Sequence, residues 1–138
     1  EKLSEYSDKK IIIDSARDTG IGVRLAYLLR YDPNKMQEML KSQMKSPYYS
    51  GTVNTDEVYK LDNIEVRPMV WGKDVYIEEI IVGDLLAISQ SQVDEHKLKL
   101  EFEIPSADGA VYLRGYSTNP EEKCLSPSHG SVYCDKAP

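Results

Sequence analysis

Polar and apolar residues alternate most regularly between Lys97 and Ile104. Leu98, Leu100, Phe102 and Ile104 interleave with Lys97, Lys99, Glu101 and Glu103. Side chains of a strand point to opposite faces with period two, so this stretch predicts a strand with one apolar and one charged face. Pro105-Ser106-Ala107-Asp108-Gly109 supplies turn chemistry, with Asp108-Gly109 suited to φ > 0. Ala110–Tyr116 then returns as the partner strand. An earlier hairpin is expected from Ile64–Trp71 and Val75–Ile81, joined by Gly72-Lys73-Asp74. Ile64, Val66, Pro68 and Val70 share one face there. Pro68 has no N–H to give a ladder, which implies an edge strand or a bulge.

Helical spacing dominates nearer the N-terminus. Ile21, Leu25, Leu28 and Leu29 predict a helix over Ile21–Tyr31, after the cap and turn chemistry of Asp18-Thr19-Gly20. Asp32-Pro33 marks the next boundary, since Asp caps well and Pro is favoured at the first helical position. A second helix should run from Pro33 to about Lys45, with Met36, Met39, Leu40 and Met44 inside. Glu1–Asp8 is polar and expected to fray. The run Ile11-Ile12-Ile13 favours a strand over a helical turn. Thr55–Leu61 reads as a short strand and Gln90–Glu95 as a loop. Val82–Ser89 fits either a kinked strand or a turn before a buried segment. From Ser117 onward the chain is a loop-rich tail. The pattern predicts one α+β domain over residues 1–138. One or two N-terminal helices should pack on an antiparallel sheet of about four to five strands.

The tail holds the two cysteines, Cys124 and Cys134. The segment between them contains Pro127 and Gly130, so it can fold back, and the pair reads as one disulfide closing a small loop. Such closure contributes about 3 kcal/mol in the chain-entropy account. A disulfide implies the periplasm, the cell surface or the outside of a cell. Two free cytosolic thiols are the alternative.

Charge narrows the partners. The net charge of −6 argues against general nucleic-acid binding, which needs Lys and Arg to neutralise phosphates. From Asp56 to Glu103 there are 12 Asp and Glu against 5 Lys and Arg. That is either a solvated face or an acidic surface that steers a basic partner. No run approaches the roughly 18 apolar residues of a membrane span. Glu1-Lys2-Leu3-Ser4-Glu5 lacks the basic start and apolar stretch of a signal peptide, so a trimmed chain is expected.

Catalytic and cofactor signatures are missing from the sequence. Cys124, His129 and Cys134 lack the close Cys-x-x-Cys pairing of common zinc sites, so no metal is expected. Ser126, Ser128 and Ser131 lie near His129 without a Gly-x-Ser-x-Gly elbow. Gly20-x-Gly22 continues into neither a dinucleotide nor a phosphate loop, and no cofactor is expected. Glu78 and Glu79, adjacent in a strand, should face opposite ways and share no site. His96 should be exposed at the start of its strand.

Helices first, antiparallel strands next and a Cys-bounded C-terminal loop make a layout loosely similar to the soluble domains of type IV pilins. It departs from them at Asp32-Pro33, which breaks the long helical spine. That resemblance implies an envelope subunit. The composition and motifs instead favour a small secreted or periplasmic module, not an enzyme, that binds a protein with a basic surface. An inhibitor or immunity protein acting on a cell-wall hydrolase is the concrete form. A pilin-like subunit or a hydrolase without a readable motif are the alternatives, and a homodimer is possible. Candidate contact residues are Tyr48 and Tyr49, Lys73 and Asp74, Glu101 and Glu103, and His129 and Tyr133, with tyrosine as anchor.

Overall fold

A computed structural model describes residues 2–17, 20–44, 58–125 and 133–134. Among these, six strands form one sheet in the order β2-β3-β1-β4-β6-β5. They are β1 (Ile11–Asp14), β2 (Tyr59–Leu61), β3 (Ile64–Arg67), β4 (Ile80–Gly83), β5 (Lys99–Pro105) and β6 (Val111–Ser117). β1 lies in the middle and runs parallel to β3 on one side and β4 on the other. The remaining pairs are antiparallel. The fold is therefore α+β, but with a mixed six-stranded sheet in place of the expected antiparallel one. The isoleucine run is a strand, and it is the central one. Burial on both faces explains why it is apolar throughout without alternation.

Two helices cover one face. They are α1 (Ile21–Leu28) and α2 (Pro33–Met44). The Asp32-Pro33 boundary holds, because Asp32 Oδ1 accepts the Asn34 N–H at 2.9 Å. Ile11, Ile13, Ile64, Val66, Ile80 and Val82 form the core on this side, with Met36 and Met39 packed against it. A 3-10 turn over Lys2–Tyr6, where fraying was expected, sets Leu3 and Tyr6 on the same core. Tyr6 packs on Phe102, with ring centroids 5.4 Å apart. On the other face Ile81, Val75, Ile88, Leu98 and Tyr116 cluster beneath Trp71 and Val93. Short helices α3 (Trp71–Asp74) and α4 (Gln90–Glu95) lie there.

The first expected hairpin is not formed. β3 ends at Arg67, directly before Pro68, and Val70 is exposed. Because β3 is an interior strand, Pro68 terminates it instead of marking an edge. Trp71–Asp74 is a helical turn, so β3 crosses over to reach β4 on the far side of β1. Gln90–Glu95 is likewise helical. Ser89 and Gln92 make a reciprocal capping box at its start.

The second hairpin forms, with Gly109 at φ +86° in its turn. A bulge at Glu101 corrects its register. Leu100 opposes Tyr116, and Phe102 opposes Gly115. One extra residue reverses the alternation, so Leu98, Leu100, Phe102 and Ile104 do not share a face. Leu98 joins the core beside Tyr116, Phe102 joins the core beside Val82, and Leu100 is 47% exposed.

In the tail, α5 (Pro120–Leu125) is a short helix capped by Asn119, whose Oδ1 accepts the Glu122 N–H at 3.1 Å. Cys124 in α5 is bonded to Cys134, with Cα atoms 5.5 Å apart. Lys123 is buried and its Nζ donates to the Glu95 carbonyl at 3.2 Å, tying α5 to α4.

Candidate functional site

The way α1 meets the sheet creates the most distinctive surface. The spacing of Ile21, Leu25, Leu28 and Leu29 implies that these side chains form its inner stripe. Ile21 and Leu25 do pack half-buried against the core, but the buried residues of the helix are Gly22 and Ala26, and Leu28 and Leu29 are exposed. A Cβ at Gly22 would run into the Tyr59 ring, so only glycine permits this approach. Small residues at i and i+4 bring the helix close to the sheet. The large side chains are then displaced sideways and outward. Tyr27 is 83% exposed, Leu28 is 74% exposed, and Val23 is exposed beside them.

Beside this helix runs a groove of about 250 Å³. Ile13 and Val82 of the central strands line it together with Leu25 and Leu28, and Tyr112 and Leu113 of β6 line it too. Arg24 contributes the polar part. It is an apolar slot bordered by exposed apolar side chains, an arrangement that marks interaction sites.

A second concavity, of about 300 Å³, lies at the C-terminal ends of the three parallel strands. Asp14 ends β1 and Arg17 follows it, Met69 and Trp71 follow β3, and Leu86 and Ala87 follow β4. In open α/β sheets this is where ligands are held. Its polar groups are already engaged. Asp14 Oδ1 accepts the Met69 N–H at 3.1 Å, and Arg17 Nε donates to Asp84 Oδ2 at 3.2 Å. His96 stacks on Trp71 at 4.8 Å instead of standing exposed. Burial first, and then the Lys123 charge, lower its pKa. Among the described residues no group of three or more His, Cys, Asp and Glu is placed to hold a metal ion. No described helix is long and apolar enough to cross a membrane.

No family model matches this chain. Neither a curated protein nor a solved structure matches it. Its function must therefore be argued from its own surfaces.

The residues expected to contact a partner are not brought together. Tyr48, Tyr49 and His129 lie outside the described residues. Lys73 is exposed on α3. Asp74 beside it is fully buried. Its two oxygens accept from Arg67 Nη2 and Nη1 at 2.8 and 2.9 Å, and Oδ2 also accepts the Val70 N–H. Asp74 is thus a structural anion, with no surface to offer a partner. Burial raises its pKa, but the Arg67 and Val70 hydrogen bonds outweigh that and hold the carboxyl below its usual range.

Glu101 and Glu103 were expected to stand together on one charged face. The bulge separates them. Glu101 accepts from Ser117 Oγ at 2.7 Å and lies 3.7 Å from Lys99 Nζ. Glu103 pairs with Arg114 Nε at 3.1 Å. Each has a cation of its own, so the like-charge repulsion inferred from alternation is relieved within the chain. Tyr133 stacks on Tyr76, with ring centroids 6.1 Å apart, which docks the disulfide-bonded tail on the body.

The sequence reading missed the α1 groove. Its signal was Gly22-x-x-x-Ala26, a small-residue pair at helical spacing, which turns the buried face away from Leu28 and Leu29 and leaves Ile21 and Leu25 at its margin.

Proposed function

We propose that this protein is a binding module of an oxidising compartment, the periplasm or the exterior of a cell. It neutralises a partner enzyme by receiving one of that enzyme's apolar side chains in the α1 groove. The carrying observation is the exposure of Leu28 and Tyr112 at the lining of an apolar slot, beside a helix that packs through Gly22 and Ala26. The slot is smaller than the roughly 300–1,000 Å³ of a typical small-molecule site. It suits a single large side chain in the manner of an interface anchor. The Cys124–Cys134 bond supports the compartment. The net charge of −6 favours a basic partner, such as a cell-wall hydrolase. The local pairing of Glu101 and Glu103 shifts the weight of recognition from acidic steering to apolar contact.

The test is capture from the native source with wild type and Leu28→Glu, followed by an activity assay of the captured enzyme. Wild type should bind one-to-one and abolish that activity. Leu28→Glu, at a solvent-facing position, should fold normally and bind at least about tenfold more weakly, the equivalent of 1.4 kcal/mol. Equal binding by the two proteins would remove the groove from the interface.

The same apolar face supports a second reading, a pilin-like assembly subunit in which copies meet across α1. Sedimentation separates the two. Self-association abolished by Leu28→Glu, with no enzyme captured, favours assembly.

A further inference from the structure

A group of charged residues on the α3 side of the sheet belongs to neither concavity. Lys10 precedes β1, Glu65 and Arg67 lie on β3, Asp74 ends α3, and Glu79 precedes β4. Arg67 is the centre of the group. It holds both oxygens of Asp74, and its Nε donates to Glu65 Oε2 at 3.0 Å. Glu65 also faces Lys10 Nζ at 3.7 Å and the largely exposed Lys60 at 3.9 Å. Both of these carboxylates are well served.

Glu79 is not. It is 1% exposed, and among the described residues neither of its carboxyl oxygens has a hydrogen-bond partner. The Lys10 ammonium lies 3.7 Å away, beyond hydrogen-bond length, and is shared with Glu65. From the β6 side it is faced by Thr118, which is uncharged. Thr118 Oγ1 accepts the Glu79 N–H, and its own N–H donates to the Glu79 carbonyl. The backbone at Glu79 is therefore held on both sides, with its carboxyl directed into the buried cluster.

Charge balance then decides the state of the carboxyl. Arg67 neutralises Asp74, Lys10 is shared between Glu65 and Glu79, and Lys60 faces Glu65 from a largely exposed position where water screens it. An ionised Glu79 would therefore be a buried negative charge with only a share of one half-exposed cation and no hydrogen bond among the described residues, an arrangement that disfavours the charged form. A buried group in that position neutralises instead. We infer that Glu79 is a buried proton-binding site, which takes up a proton on folding and holds it as a neutral acid. Burial first, and then the Asp74 charge, push its pKa up to about 7, against Lys10 and Arg67. The proton exchanges through the Lys10 side of the cluster, where that side chain is 38% exposed.

The sign follows from linkage. The folded state binds more protons than the unfolded chain between the ordinary glutamate value of 4.5 and about 7. This contribution is fully present below that window, is lost as the pH rises through it, and is level above. His96 acts the other way, because its lowered pKa makes stability rise with pH. The comparison that isolates Glu79 is therefore between wild type and Glu79→Gln.

The direct test is a carboxyl carbon NMR titration of the intact wild-type protein. A Glu79 midpoint near 7 is expected, and a midpoint near 4.5 overturns the inference. Thermal melts at pH 5 and pH 8 provide the second arm. Going from pH 5 to pH 8 should lower the Tm of wild type relative to that of Glu79→Gln, and the variant should gain most at pH 8. The same pH dependence in both proteins also overturns it. If Glu79→Gln fails to fold, Lys10→Met replaces it in the titration. Removal of the nearest cation should move the Glu79 midpoint upward, and an unmoved midpoint counts against the cluster.

Discussion

In the β5–β6 hairpin each strand meets its partner across the Ser106–Gly109 turn, whereas Ile11 at the centre of the sheet pairs with Ile64 and Ile80. The hairpin can form from its own sequence, because a short turn closes it at low entropic cost. The parallel centre forms only after long connections have crossed above and below the sheet. The two regions also differ in how they treat charge. The hairpin pairs Glu103 with Arg114 at its surface. The centre buries Asp74 and Glu79 beneath α3 and has to satisfy or neutralise each of them. Local pairing tolerates imperfect partners because water substitutes for them. Non-local pairing in the interior does not.

The largest expected effect tests the centre. Asp74→Ala removes two hydrogen bonds from Arg67 and one from the Val70 N–H. It leaves the mostly buried Arg67 short of a counter-charge, and breaking such a pair costs about 3–5 kcal/mol. The loss should appear in the denaturant midpoint at pH 7. A change below about 1 kcal/mol would mean that water reaches the cluster and the contrast with the hairpin fails. The Asp74 carboxyl is held below its usual range. Its stabilisation is thus present above the ordinary Asp value and is lost as the pH falls through the lower folded value, opposite in sign to that of Glu79.

The next effect tests the hairpin. The Phe102 ring lies over Gly115, where a Cβ would overlap it. Phe102→Ala should cost about 3 kcal/mol, the low end for a buried phenylalanine, because an edge strand can relax. Gly115→Ala should also destabilise, by more than about 1 kcal/mol, by forcing that ring aside. The double variant should be less unstable than the sum, since the alanine methyl then enters space the ring has left. Additive losses would show that the two residues do not share one site.

The same contrast explains what could be read from the chain. The β5–β6 hairpin, the Asp32-Pro33 helix start and the Cys124–Cys134 bond each depend on residues close in sequence, and each was legible. Ile11–Ile13 was legible as a strand but not as the central one, because nothing local names Ile64 and Ile80 as its neighbours. The crossover at Trp71–Asp74 resembled a hairpin turn for the same reason. α4 was a different kind of miss. Ser89 and Gln92 stand at capping-box spacing, and that signal was available. The α1 groove was hidden because apolar periodicity assigns the larger side chains to the inside. Here the Tyr59 ring fills the space against Gly22, and the helix is seated on its two small residues with Ile21 and Leu25 at the margin. Asp74 and Glu79 looked like surface acids, since burial of a carboxylate depends on partners brought from β1 and β3.

The smallest expected effect tests how burial falls off along the edge strand. Unbroken alternation puts Leu98, Leu100, Phe102 and Ile104 on one buried face, so that Leu98→Ala and Leu100→Ala should cost alike. The bulge at Glu101 sets Phe102 and Ile104 on the other face, and Leu98 and Leu100, both before it, differ in burial because Leu100 lies out on the edge strand. Leu98 lies just before β5, behind Lys97 at φ +57°, and is buried with Ile81 and Tyr116. Leu100 is nearly half exposed on the edge strand. Leu98→Ala should therefore cost about 2 kcal/mol or more. Leu100→Ala should stay within about 0.5 kcal/mol, as for other surface positions. Chemical denaturation of the two variants side by side reads the difference directly, with no change in charge to complicate it. A loss at Leu100 equal to that at Leu98 would mean that Leu100 is buried too, and that β5 is not the open edge of the sheet.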